Sequence, residues 1–285
     1  MKSKPRLLAI FAHPDDESLG NGGMLAKYAA EGVETYLITA TRGERGWFGP
    51  PEEYPGSIAL GRTREAELRD AAEILGIQRV TFLDYVDGEV DKADPGDVIA
   101  RLVAEIRRLR PHVVVTFDEW GIYGHPDHMA ISRFTSQAVF DAARAERPEL
   151  GPPHAVDSLY YMAWTQQTLD VHEKAFGEIT MEVDGELRRP RAWAGEDVSA
   201  RIDASGYWQT AWRAIACHRS QLPGYESVLK LPESYHRSLW ANLTYFRAMG
   251  RAAFEGGVTG TLFDSRTPAV AVSTAWQCQK RPLII

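Results

Sequence analysis

The amino-acid sequence predicts an α/β fold built on a doubly wound, mostly parallel sheet. Short apolar runs alternate with helical patterns through the first half of the chain, which is typical of βαβ units. Two of these runs are followed by clusters of His and Asp, as expected where parallel strands end at a ligand-binding edge. With 285 residues, the chain is long enough to bury a core without a disulfide or a structural metal.

Each element of the first half follows from a local pattern. The predicted strands have the length and composition of buried parallel strands, and they are Leu7–Ala12, Val33–Thr41, Arg79–Asp84 and His112–Asp118. The predicted helices between and after them are Leu19–Glu31, Thr63–Leu75, Pro95–Arg110 and Pro126–Arg147. Gly32 and Gly76 stand where glycine commonly ends a helix. The common strand order 3-2-1-4 would make the first and fourth strands neighbours at the topological switch point.

Two regions interrupt this alternation. The segment 43–61 is rich in Gly, Pro and aromatic residues and is too long for an ordinary βα connection, so it is a candidate lid. After Gly151, the sequence predicts strands over Ser158–Trp164 and Glu178–Val183, a hairpin-like stretch over Asp184–Arg191 and a helix over Ser205–Arg219. We predict a single domain over residues 1–254 and a tail of unknown role over residues 255–285.

Composition excludes several classes of protein. A net charge of −7 and a pI of about 5.7 do not suit a protein that must neutralise nucleic-acid phosphates. No apolar stretch approaches the roughly 18 residues of a membrane span. Cys217 and Cys278 are far apart, and the N-terminus has no secretory pattern. We therefore expect a cytoplasmic protein without a thiolate-rich zinc site.

The two His/Asp clusters together predict one metal site. His13 and Asp16 follow the first strand across a strand-to-helix turn, and His128 follows the fourth. Catalytic zinc takes about three protein ligands from His and carboxylate and keeps one position open. We therefore predict one Zn²⁺ per chain on these residues, although the same donors would also accept another first-row divalent metal.

Neighbouring residues supply candidates for proton transfer. Asp15 lies beside the ligands and could take a proton from water as a general base. His125 could donate a proton to the leaving group, and Tyr123 could direct its hydroxyl at a developing oxyanion. Asp127 could orient and charge His125, but an N-cap role would place it in the same position.

The residues Ala12–Glu17 (AHPDDE) and Gly124–His128 (GHPDH) resemble the two metal motifs of the LmbE-like, or PIG-L, de-N-acetylase family. The similarity covers roughly residues 6–250. It implies a Rossmann-like fold and zinc-dependent removal of acetyl groups from N-acetylglucosaminyl compounds. It also implies zinc ligation by His13, Asp16 and His128, with Asp15 as the base and His125 as the acid or electrostatic histidine.

Further residues are candidates for substrate binding. The resemblance suggests substrate contacts for Arg64, otherwise a surface charge, and for Asp87 in an acidic turn. Trp47, with Phe48 and Tyr54, could line a pocket that stacks on a sugar or covers an acyl group. Residues 218–221 (HRSQ) resemble a late motif of the family. His218 is therefore a candidate for substrate binding, and a structural role is the alternative.

We expect the partner to be a small N-acyl amine, with a glucosaminyl compound favoured and nucleic acid excluded; a homo-oligomer is left open. The same machinery would permit cleavage of a longer acyl chain or of a thiol-conjugate amide. A nucleotide-binding Rossmann protein with structural histidines is a third interpretation. It is disfavoured because the glycines at 20, 22 and 23 lack the G-x-G-x-x-G spacing.

Overall fold

The central sheet is mixed and mostly parallel, as the sequence predicts. The computed structural model describes residues 4–250 and 257–263. Within them, the sheet strands are β1 (Arg6–Phe11), β2 (Glu34–Thr39), β3 (Arg79–Phe82), β4 (Val113–Thr116), β5 (Ser158–Met162), β8 (Ala200–Asp203) and β9 (Asn242–Gly250), and β6 (Met181–Val183) and β7 (Glu186–Arg188) form a separate hairpin. The order across the sheet is β3-β2-β1-β4-β5-β9-β8. The strands β3, β2, β1, β4 and β5 pair in parallel. At one edge of the sheet, β9 pairs antiparallel with β5 and with β8.

Helices cover the sheet. They are α1 (Asp16–Ala30), α2 (Ser57–Leu75), α3 (Pro95–Leu109), α4 (Gly121–Gly124), α5 (Pro126–Ala142), α6 (Gln166–Phe176), α7 (Trp208–Ile215), α8 (Glu226–Leu229) and α9 (Glu233–Trp240). Helix α1 packs against α7, and α3 packs against α5. Throughout residues 4–250 and 257–263, every helix is too short or too polar to cross a membrane.

The predicted order of the first four strands is confirmed, and Gly32 and Gly76 follow helices with positive φ values of 85° and 74°. One difference is that α5 ends at Ala142 instead of Arg147. The buried guanidinium of Arg107 explains this end, because it donates hydrogen bonds to the carbonyl oxygens of Ala142, Arg144 and Arg147. These carbonyls are satisfied without further helical turns.

The candidate lid is shorter than predicted. Helix α2 begins at Ser57, six residues before the predicted start at Thr63, because Gly56 adopts a φ of 86° that ends the preceding loop. The non-helical part of the segment therefore covers residues 43–56, apart from a single turn at Pro51–Glu53. This loop leads from the end of β2 to the start of α2.

The predicted elements of the second half are present but shorter, and the structure adds elements that were not predicted: α6, α8, α9, β8 and β9. The hairpin β6–β7 turns at Asp184 and Gly185, which both have positive φ. Part of the predicted tail packs on the domain, since Leu262 is buried and its N–H donates to the hydroxyl of Tyr28 at 2.7 Å. The rest of the tail, including Cys278, lies outside the described residues, so the boundary after residue 254 stays a prediction.

The glycines after the first strand have a packing role. A Cβ on Gly22 would lie 3.0 Å from the Cβ of Ala211, and one on Gly23 would lie 2.5 Å from the carbonyl oxygen of Trp240. Gly22 and Gly23 thus bring α1 close to α7 and to the end of α9, and Gly20 brings it close to Met162 on the sheet strand β5. This close approach accounts for them without a phosphate loop.

Candidate metal centre and active site

The two His/Asp motifs meet at the carboxyl edge of the sheet. Strands β1 and β4 are parallel neighbours, with Leu7 opposite Val113 and Ala9 opposite Val115. Because both strands run in the same direction, the residues that follow them emerge at the same edge. The first motif turns there into α1, and the second turns into α5.

Three donor atoms from the predicted ligands converge. Nδ1 of His13 lies 3.2 Å from Nε2 of His128 and 3.7 Å from Oδ2 of Asp16, and Nε2 of His128 lies 3.5 Å from Oδ1 of Asp16. Tetrahedral zinc with ligand bonds of about 2.0–2.1 Å requires ligand atoms about 3.3–3.4 Å apart. The distance between the two imidazole nitrogens is close to this spacing, and each nitrogen lies slightly farther from a different oxygen of Asp16. The donor atoms of His13, His125 and His128 also lie within 4.8 Å of one another.

The remaining polar atoms of these ligands are held in place. Oδ2 of Asp16 accepts hydrogen bonds from the backbone N–H groups of His13 and Ala12, at 2.7 and 3.2 Å. Nδ1 of His128 lies 3.3 Å from the carbonyl oxygen of Gly121, which leaves Nε2 to face the cluster. Such outer contacts orient the ligands of a metal before it binds.

His13 faces two carboxylates with its other ring nitrogen. Nε2 lies 3.1 Å from Oδ2 of Asp127 and 3.1 Å from Oδ1 of Asp87. Asp127 also accepts hydrogen bonds from the N–H groups of Gly88 and Val90, at 2.7 and 3.0 Å. A carboxylate on the distal nitrogen is the usual support of a metal-binding imidazole.

This arrangement differs from the sequence-based expectations for both aspartates. Asp127 was expected to orient and charge His125. Its charge does raise the pKa of His125, but its hydrogen bond to that residue comes from its backbone N–H, which donates to Nδ1 at 3.1 Å. Asp87 was expected to contact substrate, but it is 7% exposed and accepts a hydrogen bond from the N–H of Arg45 in addition to its contact with His13. The fold brings the turn after β3 beside the first motif, so both carboxylates serve His13.

The electrostatics of the buried cluster favour a cation. Burial alone would lower the pKa of His13, but its hydrogen bonds to Asp127 and Asp87 raise that pKa well above the usual value. Burial raises the pKa of Asp16 to about 7, against the effect of His13. A positive charge at this position therefore compensates several buried carboxylates. Burial also lowers the pKa of His128, which keeps its ring neutral as a ligand must be.

Asp15 occupies the turn between β1 and α1 in a strained conformation. Its φ of 114° is rare for a residue with a side chain, and such strain is found mainly where the surroundings hold it for function. Its N–H donates to Oε2 of Glu17 at 3.0 Å. Its carboxylate receives hydrogen bonds from Nη2 of Arg64 at 3.2 Å and from the hydroxyl of Tyr225 at 2.8 Å, both at Oδ2.

The second motif follows a tight turn that glycine makes possible. Gly121 has a φ of 61°, and a Cβ there would lie 2.7 Å from the Cβ of His128. The next residue, Ile122, also has a positive φ, and its N–H donates to Oδ1 of Asp118 at 2.8 Å. The indole N–H of Trp193 donates to the other oxygen of Asp118 at 2.9 Å. Asp118 thereby fixes the turn that presents the motif.

His125 and Tyr123 border the donor cluster. The His125 ring stacks on that of His128 with centroids 4.6 Å apart and lies 4.8 Å from that of His13. Burial lowers the pKa of His125 to about 4, and the charge on His13 adds to the shift. Burial and the nearby carboxylates raise the pKa of Tyr123, so its hydroxyl stays protonated and can donate. Its ring lies 5.3 Å from that of His128.

The side chains of Arg64 and His218 are buried. Arg64 is 3% exposed, and besides Asp15 it donates to the carbonyl oxygens of Pro14 and Gly43. His218 is fully buried, with Nε2 2.9 Å from Oε1 of Glu17. Both side chains therefore support the first motif, and their contact with substrate stays a prediction.

The loop aromatics lie at the surface. The indole N–H of Trp47 donates to the carbonyl oxygen of Pro50 at 2.9 Å, and its ring lies 6.3 Å from that of Tyr54. Phe48 is 55% exposed and contacts the ring of Tyr225 with centroids 6.5 Å apart. The loop is thus joined to the site through Tyr225. The pocket-lining role of Trp47 stays a prediction.

Sequence comparison places the chain among known proteins. Residues 8–139 match the family described as PIG-L, GlcNAc-PI de-N-acetylase. A relative from Rhodococcus jostii (strain RHA1), named 1D-myo-inositol 2-acetamido-2-deoxy-alpha-D-glucopyranoside deacetylase, is 36% identical over 77% of this chain and 82% of its own. The chain belongs to the PIG-L, or LmbE-like, family. The matched region contains both metal motifs.

Solved structures share the fold of this chain. The conserved protein TT1542 from Thermus thermophilus is 28% identical, with a TM-score of 0.62 over 86% of this chain and 95% of its own. N,N'-diacetylchitobiose deacetylase from Pyrococcus horikoshii is 20% identical, with a TM-score of 0.65 over 85% of this chain and 83% of its own. The predicted fold class is confirmed. The deacetylase names of the relatives also confirm the prediction of an N-deacetylase that acts on amide bonds.

Sequence reasoning missed several residues of the site. Tyr225 lies 210 positions after Asp15 in a segment without clear periodicity, so no local pattern could have assigned it. Glu17 was within the first motif, and its adjacency to the ligands was a usable signal. Asp118 lies two residues after the end of β4, and a polar residue near a strand end was a second such signal.

Proposed function

We propose that this protein is a zinc-dependent hydrolase that removes an N-acetyl group from a glucosamine-containing small molecule. The observation that carries the proposal is the convergence of Nδ1 of His13, Nε2 of His128 and the Asp16 carboxylate beside Asp15. The relatives named as deacetylases of an acetamido-glucopyranoside support the substrate class. The two widely separated cysteines agree with a cytoplasmic location, which is part of the proposal.

The metal would be held by His13, Asp16 and His128. When bound, zinc supplies a Lewis acid that polarises the amide carbonyl and lowers the pKa of a water molecule. The protein residues carry out the proton transfers. Asp15 takes a proton from the attacking water, because its carboxylate is adjacent to the ligand Asp16 and is held by Arg64 and Tyr225.

Residues of the second motif act on the other side of the amide. The protonated hydroxyl of Tyr123 donates to the oxyanion that develops on the carbonyl oxygen. His125 donates a proton to the amine nitrogen as it departs. The charges of Asp127 and Asp87 raise the pKa of His125 and so oppose the lowering that burial and His13 cause.

The proposal is tested with a panel of N-acyl substrates and amine release as the readout. The panel contains N-acetylglucosaminyl-inositol, N-acetylglucosamine, its longer N-acyl analogues and a thiol-conjugate amide. We expect the highest kcat/KM on an N-acetylglucosaminyl compound. Asp15→Asn should keep the metal and lower kcat on the order of 10²–10⁴-fold. Preference for a longer acyl group would redefine the substrate, and near-normal turnover of Asp15→Asn would refute the mechanism.

A further inference from the structure

Two donors hold one oxygen of the Asp15 carboxylate. The Tyr225 hydroxyl and Nη2 of Arg64 donate to Oδ2 at 2.8 and 3.2 Å. Asp15 is 7% exposed, so these contacts are shielded from competition with water. Because a carboxylate that accepts two hydrogen bonds at one oxygen has a fixed torsion, the donors determine which oxygen faces the metal cluster.

Tyr225 is held by the segment 218–225, which we call the anchor segment. His218 contacts Glu17 of α1, and the N–H and hydroxyl of Ser220 donate to Glu67 of α2 at 2.8 and 2.7 Å. Nε2 of Gln221 donates to the carbonyl oxygen of Gly46 at 2.9 Å. The anchor segment is therefore tied to both helices and to the loop around the site. The family-like stretch 218–221 gains a role from these contacts.

The Tyr225 ring is packed so that its hydroxyl faces Asp15. The ring of Phe176 lies against it at right angles, with centroids 6.2 Å apart, and Phe48 lies 6.5 Å away on the loop. Tyr225 is thus positioned by aromatic contacts on its ring and by the anchored backbone before it. Its hydroxyl is available as a donor, because burial and the Asp15 carboxylate raise its pKa.

We propose that Tyr225 is a positioning residue for Asp15. By donating to Oδ2 together with Arg64, Tyr225 leaves Oδ1 as the oxygen that takes the proton from water. This inference rests on the proposed function of Asp15 as the general base. Tyr225, in the C-terminal half of the chain, would thus orient Asp15 of the first motif.

The test is the substitution Tyr225→Phe, which removes the hydroxyl and keeps the ring. We expect kcat on an N-acetylglucosaminyl substrate to fall on the order of 10-fold, since a hydrogen bond to a charged group is lost, with KM and bound zinc unchanged. The matched control is Tyr36→Phe, because the Tyr36 hydroxyl also donates to a carboxylate, Oε2 of Glu34 at 3.2 Å, on the strand β2. The control should keep full kcat. An unchanged kcat in Tyr225→Phe would overturn the inference.

A double-variant cycle separates positioning from a general structural role. In the Asp15→Asn background, Tyr225→Phe should cause little further loss, because its effect passes through the carboxylate. A further loss of about 10-fold in that background would show that Tyr225 acts elsewhere and would overturn the inference. Near-normal turnover of Asp15→Asn alone would instead overturn the proposed function. The two failures are therefore distinguishable.

Discussion

Nδ1 of His13 lies 3.2 Å from Nε2 of His128, although 115 positions separate these residues in the sequence. The contact exists because β1 and β4 are parallel neighbours and both motifs leave the sheet at its carboxyl edge. Unpaired imidazole nitrogens at this distance, with a carboxylate beside them, are a costly arrangement unless a proton or a metal lies between them.

The His128→Ala variant should lose its zinc, because it removes one of three ligands from a tetrahedral site. Elemental analysis of the purified proteins is the measurement. The His125→Ala variant is the matched control, because this histidine also lies within 4.8 Å of the cluster but is not assigned as a ligand. It should keep about one metal ion per chain. Loss of metal from His125→Ala with retention in His128→Ala would reverse the assignment.

Asp127→Asn should weaken metal binding without removing a ligand. The Asp127 carboxylate supports Nε2 of His13, and loss of such support typically lowers metal affinity by about 10–100-fold. Competition with a chelator of known affinity would measure the change. Asp141→Asn, on the same helix but bound to Gln137, is the control and should bind metal normally. Equal affinity of both variants would contradict the supporting role.

The sequence predicted well which residues of the two motifs come together, because they lie in short motifs at strand ends. Strand order and motif position alone bring His13, Asp16 and His128 together. The partners of the ligands could not be predicted in the same way. Asp87 and Asp127 were assigned to other tasks, because a choice between His13 and His125 depends on side-chain directions that are set by packing. The Glu17–His218 contact spans 201 positions and depends on how the second half folds onto α1.

His125→Ala should lower the rate more for poor leaving groups than for good ones. A proton donor matters most when the departing amine is strongly basic. We expect a loss on the order of 10²–10⁴-fold with N-acetylglucosamine and a much smaller loss with an acetanilide, whose amine is weakly basic. The two substrates are compared by kcat in wild type and variant. An equal loss on both substrates would remove His125 as the proton donor.

Arg64 and Trp47 should affect catalysis differently. Arg64 contacts Asp15, so Arg64→Ala should lower kcat for an N-acetylglucosaminyl substrate and for a minimal N-acetyl amine by similar factors. Trp47 lies on the surface loop, so Trp47→Ala should raise KM only for the sugar substrate. Steady-state kinetics with both substrates measure this. A loss in Arg64→Ala that is confined to the sugar substrate would instead support the substrate contact that the sequence suggested for Arg64.

His172 should make the folded protein less stable at acidic pH. It is 7% exposed on α6, its Nδ1 lies 2.8 Å from the carbonyl oxygen of Thr168, and its ring lies 4.0 Å from that of Trp164. Burial lowers its pKa from 6.5 to about 4. Between these values the unfolded state binds more protons than the folded state, so stability falls as the pH falls. The expected cost is about 2 kcal/mol between pH 7.5 and 5.

The substitution His172→Gln isolates this contribution. Glutamine does not titrate, so the variant should lose about 2 kcal/mol less of its unfolding free energy than the wild type when the pH is lowered from 7.5 to 5. Urea denaturation at both pH values measures the difference. Gln167→Ala, an exposed position on the same helix, is the control and should keep the wild-type pH dependence. Removal of a group that binds a proton only in the unfolded state must change how stability depends on pH. If His172→Gln kept the wild-type dependence, the acid sensitivity would therefore come from other groups.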